Sequence, residues 1–178
     1  MNDPLKLLLF IALSTVAVAA SIHAWRTQQA YGFLRFFVFE SLALLIVWNA
    51  RRWFHEPLSK QQIVSWSIMA ASAVLAAHGV HLLKSVGKSQ RRVMEDTQTV
   101  VEVGAYRYIR HPLYASLMLF GWGVFLKGTD MLSGALALTA TIFWIAAARY
   151  EERFNIDRLG ASYSEYMKRT KMFIPFLL

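Results

Sequence analysis

At 178 residues, 56% hydrophobic and 14% aromatic, with a mean hydropathy of +0.37, the chain is too apolar for an ordinary soluble domain and fits a small polytopic membrane protein. It has no cysteine, which excludes disulfides, thiolate nucleophiles and cysteine metal sites together. The net charge of +8 does not point to nucleic acid, because the Lys and Arg residues lie in short segments between apolar runs, where membrane lipids and orientation account for them.

A membrane-spanning helix needs about 20 mostly apolar residues. That window predicts spans over residues 5–24, 31–50, 62–83, 113–126 and 130–149. The first run ends in the small residues Ala17-Val18-Ala19-Ala20-Ser21, but Asp3 accompanies Lys6 ahead of it, so it reads as a span and not as a cleaved signal peptide. Trp25, Tyr31, Trp48, Trp53 and Tyr150 fall near span ends, as interfacial anchors do. In the second run Glu40 either lines a path through the membrane or pairs internally. In the third, His78 and His81 share a face, and a metal or haem site with His23 or His55 is weighed against a helix–helix hydrogen bond from His78; the hydrogen bond is the simpler reading, and no metal is expected.

The fourth run, Leu113 to Leu126, is 14 residues and about 21 Å long, short of a hydrocarbon core of about 30 Å. Pro112 suits the first turn of a helix, so this helix is expected to begin there. The irregular segment from Gly104 to His111 then lies at a depth tolerated only beside protein or a wet cavity. Lys127-Gly128-Thr129-Asp130 marks a turn. With Thr129 at its tip, an antiparallel hairpin sets Arg110 and His111 beside Ala147 to Arg149, with Glu151 one turn beyond. The tail from Arg153 to Thr170 is polar with a helical pattern, carries Tyr163 and Tyr166 three apart, and is placed to cover a pocket.

Orientation follows the cations. With the amino terminus outside, the inner side holds Arg26, Lys84, Lys88, Arg91, Arg92, Arg107, Arg110, Arg149, Arg153, Arg158, Lys168, Arg169 and Lys171, thirteen in all. The outer side holds Lys6, Arg51, Arg52, Lys60 and Lys127, five in all, so the carboxyl terminus is expected in the cytoplasm. The expected fold is an all-α polytopic bundle of five transmembrane helices with a cytosolic C-terminal helical segment over the pocket. It is read as one domain, 1–178, in which 1–97 is a three-span scaffold and 98–178 supplies the hairpin and tail.

The ionisable groups near this hairpin suggest a function, because charge is not kept beside lipid without use. A pocket lined by tyrosines, arginine, histidine and two carboxylates suits a zwitterionic aromatic cosubstrate. Carboxylate pairs with ammonium, arginine with carboxylate, and tyrosine faces with a purine or a sulfonium. Those groups are the ones S-adenosylmethionine carries.

Gly104-x-Tyr106-x-x-x-Arg110-His111-Pro112-x-Tyr114, an apolar hairpin, Glu151-Glu152, Gly160-x-x-Tyr163-x-x-Tyr166 and a terminal Ile174-Pro175 together resemble the isoprenylcysteine carboxyl methyltransferases and related phospholipid methyltransferases, in their short prokaryotic form. The resemblance covers about residues 98–175. It implies that Gln98, Thr99, Val100, Val101, Tyr106, His111, Pro112, Leu113, Tyr114 and Glu151 contact S-adenosylmethionine, which leaves as S-adenosylhomocysteine. Eukaryotic members place a substrate-contacting arginine one turn before the cofactor glutamate, where this chain has Ala147 and offers Arg149 instead; Ser116 replaces a glycine of many relatives.

The expected reaction is methyl transfer to a lipophilic small-molecule or lipid-anchored acceptor. A carboxylate acceptor needs a cation, for which Arg110 and Arg149 are candidates, whereas an amine or hydroxyl needs a base, for which Glu152 or His111 serves. The competing readings are a membrane reductase of the sterol-reductase type using NADPH, and a non-enzymatic membrane subunit or transporter, which the lack of a repeated half disfavours.

Overall fold

The computed structural model describes residues 4–27, 29–88 and 97–177, the side chains of His23, Thr27 and Gln29 apart. Asp3, Arg91, Arg92 and the His23 side chain, all used in the sequence reading, lie outside the described residues. Among these described residues six α-helices follow in order: α1 Pro4–Thr27, α2 Gln29–Asn49, α3 Lys60–Ser85, α4 Pro112–Phe125, α5 Met131–Leu159 and α6 Ala161–Arg169. Among the described residues there is no strand, only a parallel bridge between Ile109 and Lys171. Four helices, α1, α2, α3 and α5, are long and apolar enough to cross a membrane, and α4 is the shorter apolar helix of the expected five. The chain is thus an all-helical integral membrane protein by the length and composition of its helices.

The expected spans hold to within a few residues at most ends, and α4 begins at Pro112 as the proline predicts. Two corrections concern the carboxyl-terminal third. Helix α5 does not stop at Arg149 but runs to Leu159, because Arg, Glu and Leu are good helix formers and nothing breaks the ladder. The tail is not one helix from Arg153 to Thr170. Gly160 adopts φ 64°, a left-handed conformation that glycine takes without penalty, and its N–H closes α5 on Ile156 O at 2.8 Å before α6 begins.

By their internal contacts the residues form two compact units, Met1–Met69 with Met118–Ala147, and Ala70–Leu117 with Ala148–Leu178. In the first, Leu45, Met69, Val124 and Ala137 form a buried core flanked by Trp66 and Phe120. Lipid tails are as apolar as these side chains, so close packing and interhelical hydrogen bonds hold such a core instead of water exclusion. Ser65 Oγ donates to Gly123 O at 2.7 Å, and Ser14 Oγ donates to Glu40 Oε2 at 3.0 Å, which makes Glu40 an internal partner of α1.

The same unit holds the expected turn and closes it with charge. Asp130 caps α5, its Oδ1 accepting the Ser133 N–H at 2.9 Å, while Arg52 pairs with its carboxylate and Trp48 Nε1 donates to it at 3.0 Å. These donors, Arg52 first, hold the Asp130 carboxyl well below the usual carboxylate range. Lys127 donates to Gln62 Oε1 at 2.9 Å and sits 3.5 Å over the Trp66 ring. Trp48 therefore does more than anchor at an interface, and Tyr31 is buried within the protein.

Candidate active site

The second unit contains the groups that the sequence singles out. Leu82, Leu83, Val101 and Tyr106 form its buried core, with Leu113 packed against them. The irregular segment before α4 opens at Gly104, whose φ is 57° and whose missing side chain leaves room for His78; a Cβ there would meet His78 Nε2 at 2.5 Å. The Ala105 N–H donates to the same Nε2 at 3.3 Å. His78 thus secures a single-turn 3₁₀ helix, Gly104–Arg107, which turns Tyr106 inward, where the sequence reading expected a bond to another helix.

Beyond that turn the chain is not helical, and it is held by a strap that follows α6. Lys171 N–H donates to Tyr108 O at 3.1 Å, Arg110 N–H to Lys171 O at 2.8 Å and His111 N–H to Met172 O at 3.1 Å. Tyr166 OH donates to Tyr106 O at 2.7 Å. A segment that is not helical need not keep the rise of about 1.5 Å per residue on which a helical count relies. That difference corrects the expected register: Arg110 and His111 reach past Ala147 to Arg149 and meet Glu152.

Arg110 Nε donates to Glu152 Oε1 at 2.6 Å, and His111 Nε2 lies 3.3 Å from the same oxygen. The Arg110 and Glu152 side chains are only 10% and 9% exposed, so each charge depends on the other. Arg110 Nη1 also donates to the carbonyls of Met167 and Thr170, so this guanidinium ties α5, the strap and the segment before α4 together. The His111 ring stacks on Tyr114, 5.3 Å apart and 7° from parallel, and Tyr114 OH donates to Glu151.

A cleft, open at its mouth, lies among these elements. Of the residues expected to contact a cosubstrate, Thr99, Val100, Val101, Tyr106, His111, Leu113 and Glu151 line it, as does Arg110. Gln98, Pro112, Tyr114 and Glu152 are outside the lining: Gln98 N–H bonds Gly87 O at 3.0 Å, Pro112 is fully buried, and Tyr114 and Glu152 stand behind Glu151 and His111 as their partners. Arg149 is exposed on α5 and also outside the lining.

Sequence reasoning missed Leu83, Thr97, Asn155, Arg158 and Leu159 in this wall. The signal for two of them was present. Asn155 and Arg158 lie four and seven residues after Glu151, on one face of a continuous helix, and Arg158 Nη2 donates to Asn155 Oδ1 at 2.9 Å. Tyr163 and Tyr166, placed over a pocket by the tail's pattern, do line the cleft from α6.

Burial pushes the phenols of Tyr106, Tyr163 and Tyr166 well above the ordinary tyrosine range, with Glu151 adding to the effect at Tyr106. All three are neutral at physiological pH and act as donors and ring faces, not as bases. The cleft thus presents one carboxylate, two guanidiniums, neutral phenols, threonine hydroxyls and an apolar floor.

A family model described as a protein of unknown function (DUF1295) matches residues 16–170, most of the chain. The chain belongs to the DUF1295 family. This DUF1295 member is similar to a methanethiol S-methyltransferase from a Pseudomonas strain, with 26% identity over 72% of the chain and 50% of that protein. It is similar to a methanethiol S-methyltransferase of Mycobacterium tuberculosis, with 22% identity over 94% of the chain and 62% of that protein. A probable protein-S-isoprenylcysteine O-methyltransferase of Oryza sativa subsp. indica is 26% identical over 92% of the chain and 90% of its own length. The chain spans about half to two thirds of the length of the two bacterial relatives. The likeness to isoprenylcysteine methyltransferases drawn from the motifs accords with these matches.

Proposed function

We propose that this protein is an S-adenosylmethionine-dependent integral membrane methyltransferase acting on a lipophilic acceptor. The observation that carries the reading is the cleft wall in which Glu151, steadied by Tyr114, shares a lining with Arg158 and three neutral tyrosines. That donor set fits the cosubstrate group by group: Glu151 takes an ammonium or hydroxyl groups, a guanidinium takes a carboxylate, and the ring faces take a purine or a sulfonium. When bound, S-adenosylmethionine supplies a methyl group activated by positive sulfur. The protein's own work is to bind, orient and keep water out, which suffices for an in-line displacement.

The acceptor that suits the cleft best is a carboxylate, which arrives ionised, in keeping with the O-methyl transfer in one relative's name; a thiol would first have to shed its proton to solvent. Glu152 is engaged by Arg110 and His111, and the buried phenols stay protonated, so the cleft is poorly equipped to deprotonate an amine or hydroxyl. The distribution of Lys and Arg supports an outside amino terminus and a cytoplasmic carboxyl terminus, which turns the cleft to the cytosol, where the cosubstrate is found.

Detergent-solubilised protein is expected to gain thermal stability from S-adenosylhomocysteine and none from NADPH, by about 2.7 kcal/mol at a hundredfold excess over the dissociation constant. The reverse pattern rejects the methyltransferase in favour of the reductase.

A further inference from the structure

Past the strap the chain folds into a small turn whose purpose the cleft does not explain. Leu177 N–H donates to Ile174 O at 3.2 Å, and Phe176 adopts φ 67°, the left-handed region that favours glycine. An aromatic side chain is strained there, because its Cβ crowds the following carbonyl oxygen. Yet the turn presents its apolar side chains outward: Phe176 is 82% exposed, Leu177 77% and Ile174 50%. Tyr108, 48% exposed, meets Phe176 edge-on at 6.2 Å.

Cations adjoin this patch. The Arg107 guanidinium lies 6.0 Å over the Tyr108 ring, and Lys171, exposed like Arg107, is bonded through its N–H to Tyr108 O. Exposed aromatic and aliphatic groups rimmed by two cations, four residues before the first turn of an apolar helix, match the chemistry of a membrane–water interface on an anionic leaflet.

We propose that Tyr108, Ile174, Phe176 and Leu177 form an anchor that enters the head-group zone of an anionic phospholipid surface, with Arg107 and Lys171 meeting the phosphates. The anchor is continuous with the strap, which bonds to His111 through Met172 O and sets the Phe173 ring 5.9 Å from the His111 ring. Lipid contact therefore holds the chain that backs the cleft wall. The proposal stands whether or not the cleft binds S-adenosylmethionine.

The absence of cysteine makes the test direct, since Leu177→Cys introduces a unique thiol for an environment-sensitive dye. The labelled full chain goes into nanodiscs of phosphatidylcholine alone, or of phosphatidylcholine and phosphatidylglycerol in equal parts. The dye is expected to be quenched by head-group nitroxide lipids and shielded from iodide, more so with phosphatidylglycerol. Arg107→Gln and Lys171→Gln should each reduce the immersed-to-aqueous ratio roughly fivefold in the anionic discs, the equivalent of on the order of 1 kcal/mol per cation. Labelled Phe176→Cys repeats the measurement should the first variant fold poorly. Dye open to iodide in both lipids, dye shielded from both quenchers as a second protein copy would shield it, or equal quenching with and without phosphatidylglycerol overturns the proposal.

Discussion

Two charged networks of this protein can be set side by side, one around Asp130 and one around Glu152. In the first, Asp130 takes Arg52, Trp48 and the Ser133 N–H, and every partner is part of the scaffold. In the second, Glu152 takes Arg110 and His111 in the same manner, but its neighbour Glu151 lines a cleft with Arg158. Ionisable residues in an apolar chain are thus a poor guide to function until their partners are known. Glu152 is held by its partners as Asp130 is, and Glu151 is the carboxylate that lines the cleft.

The comparison breaks most sharply at the buried pair. Arg110→Ala leaves Glu152 uncompensated and is expected to cost about 3–5 kcal/mol of stability, whereas the double replacement Arg110→Met with Glu152→Leu recovers most of the loss. Denaturation in detergent measures both; a mild single variant would remove Glu152 from the framework. Glu151→Ala is expected to leave stability nearly unchanged and to weaken S-adenosylhomocysteine by about 1.5–3 kcal/mol, the range for a hydrogen bond to a charged group, read by calorimetry.

Asp130→Asn comes next, at about 1 kcal/mol or less, because the Arg52–Asp130 pair is partly open to solvent. Its sign in pH is fixed. The folded carboxyl sits below its unfolded value of about 3.9, so its contribution is present above that pH and is lost as pH falls through the folded value. The wild type should therefore lose more melting temperature than the variant on acidification below about pH 4. Arg149→Ala, at an exposed position, is expected within about 0.5 kcal/mol of wild type in stability and unchanged in S-adenosylhomocysteine binding. A large loss there would return Arg149 to the site.

Much of the architecture was legible because it depends on local sums. The apolar runs gave the spans, Pro112 the start of α4, and Thr129 with its neighbours the turn between α4 and α5. Gly160 was seen in the motif but not read as a break, since a glycine ends a helix only where the chain needs positive φ. Tyr106, His111 and Glu151 were nominated by the motif and share a cleft, whereas Arg149 was nominated as a substitute for the family's arginine at the position of Ala147 and by its distance in sequence from the turn. Counting residues along a hairpin assumes helical rise throughout, and residues 108–111 are not helical.

The sequence alone determined that this is a helical membrane protein, where its helices begin and turn, and which chemical groups it keeps out of lipid, because hydropathy and caps act over a few residues. Only the tertiary structure decided which of two adjacent carboxylates faces the cleft and that the strap after α6 bonds to the segment before α4. Those outcomes rest on hydrogen bonds between residues some 40 to 60 positions apart in sequence, and no local pattern encodes the partner of a donor that distant.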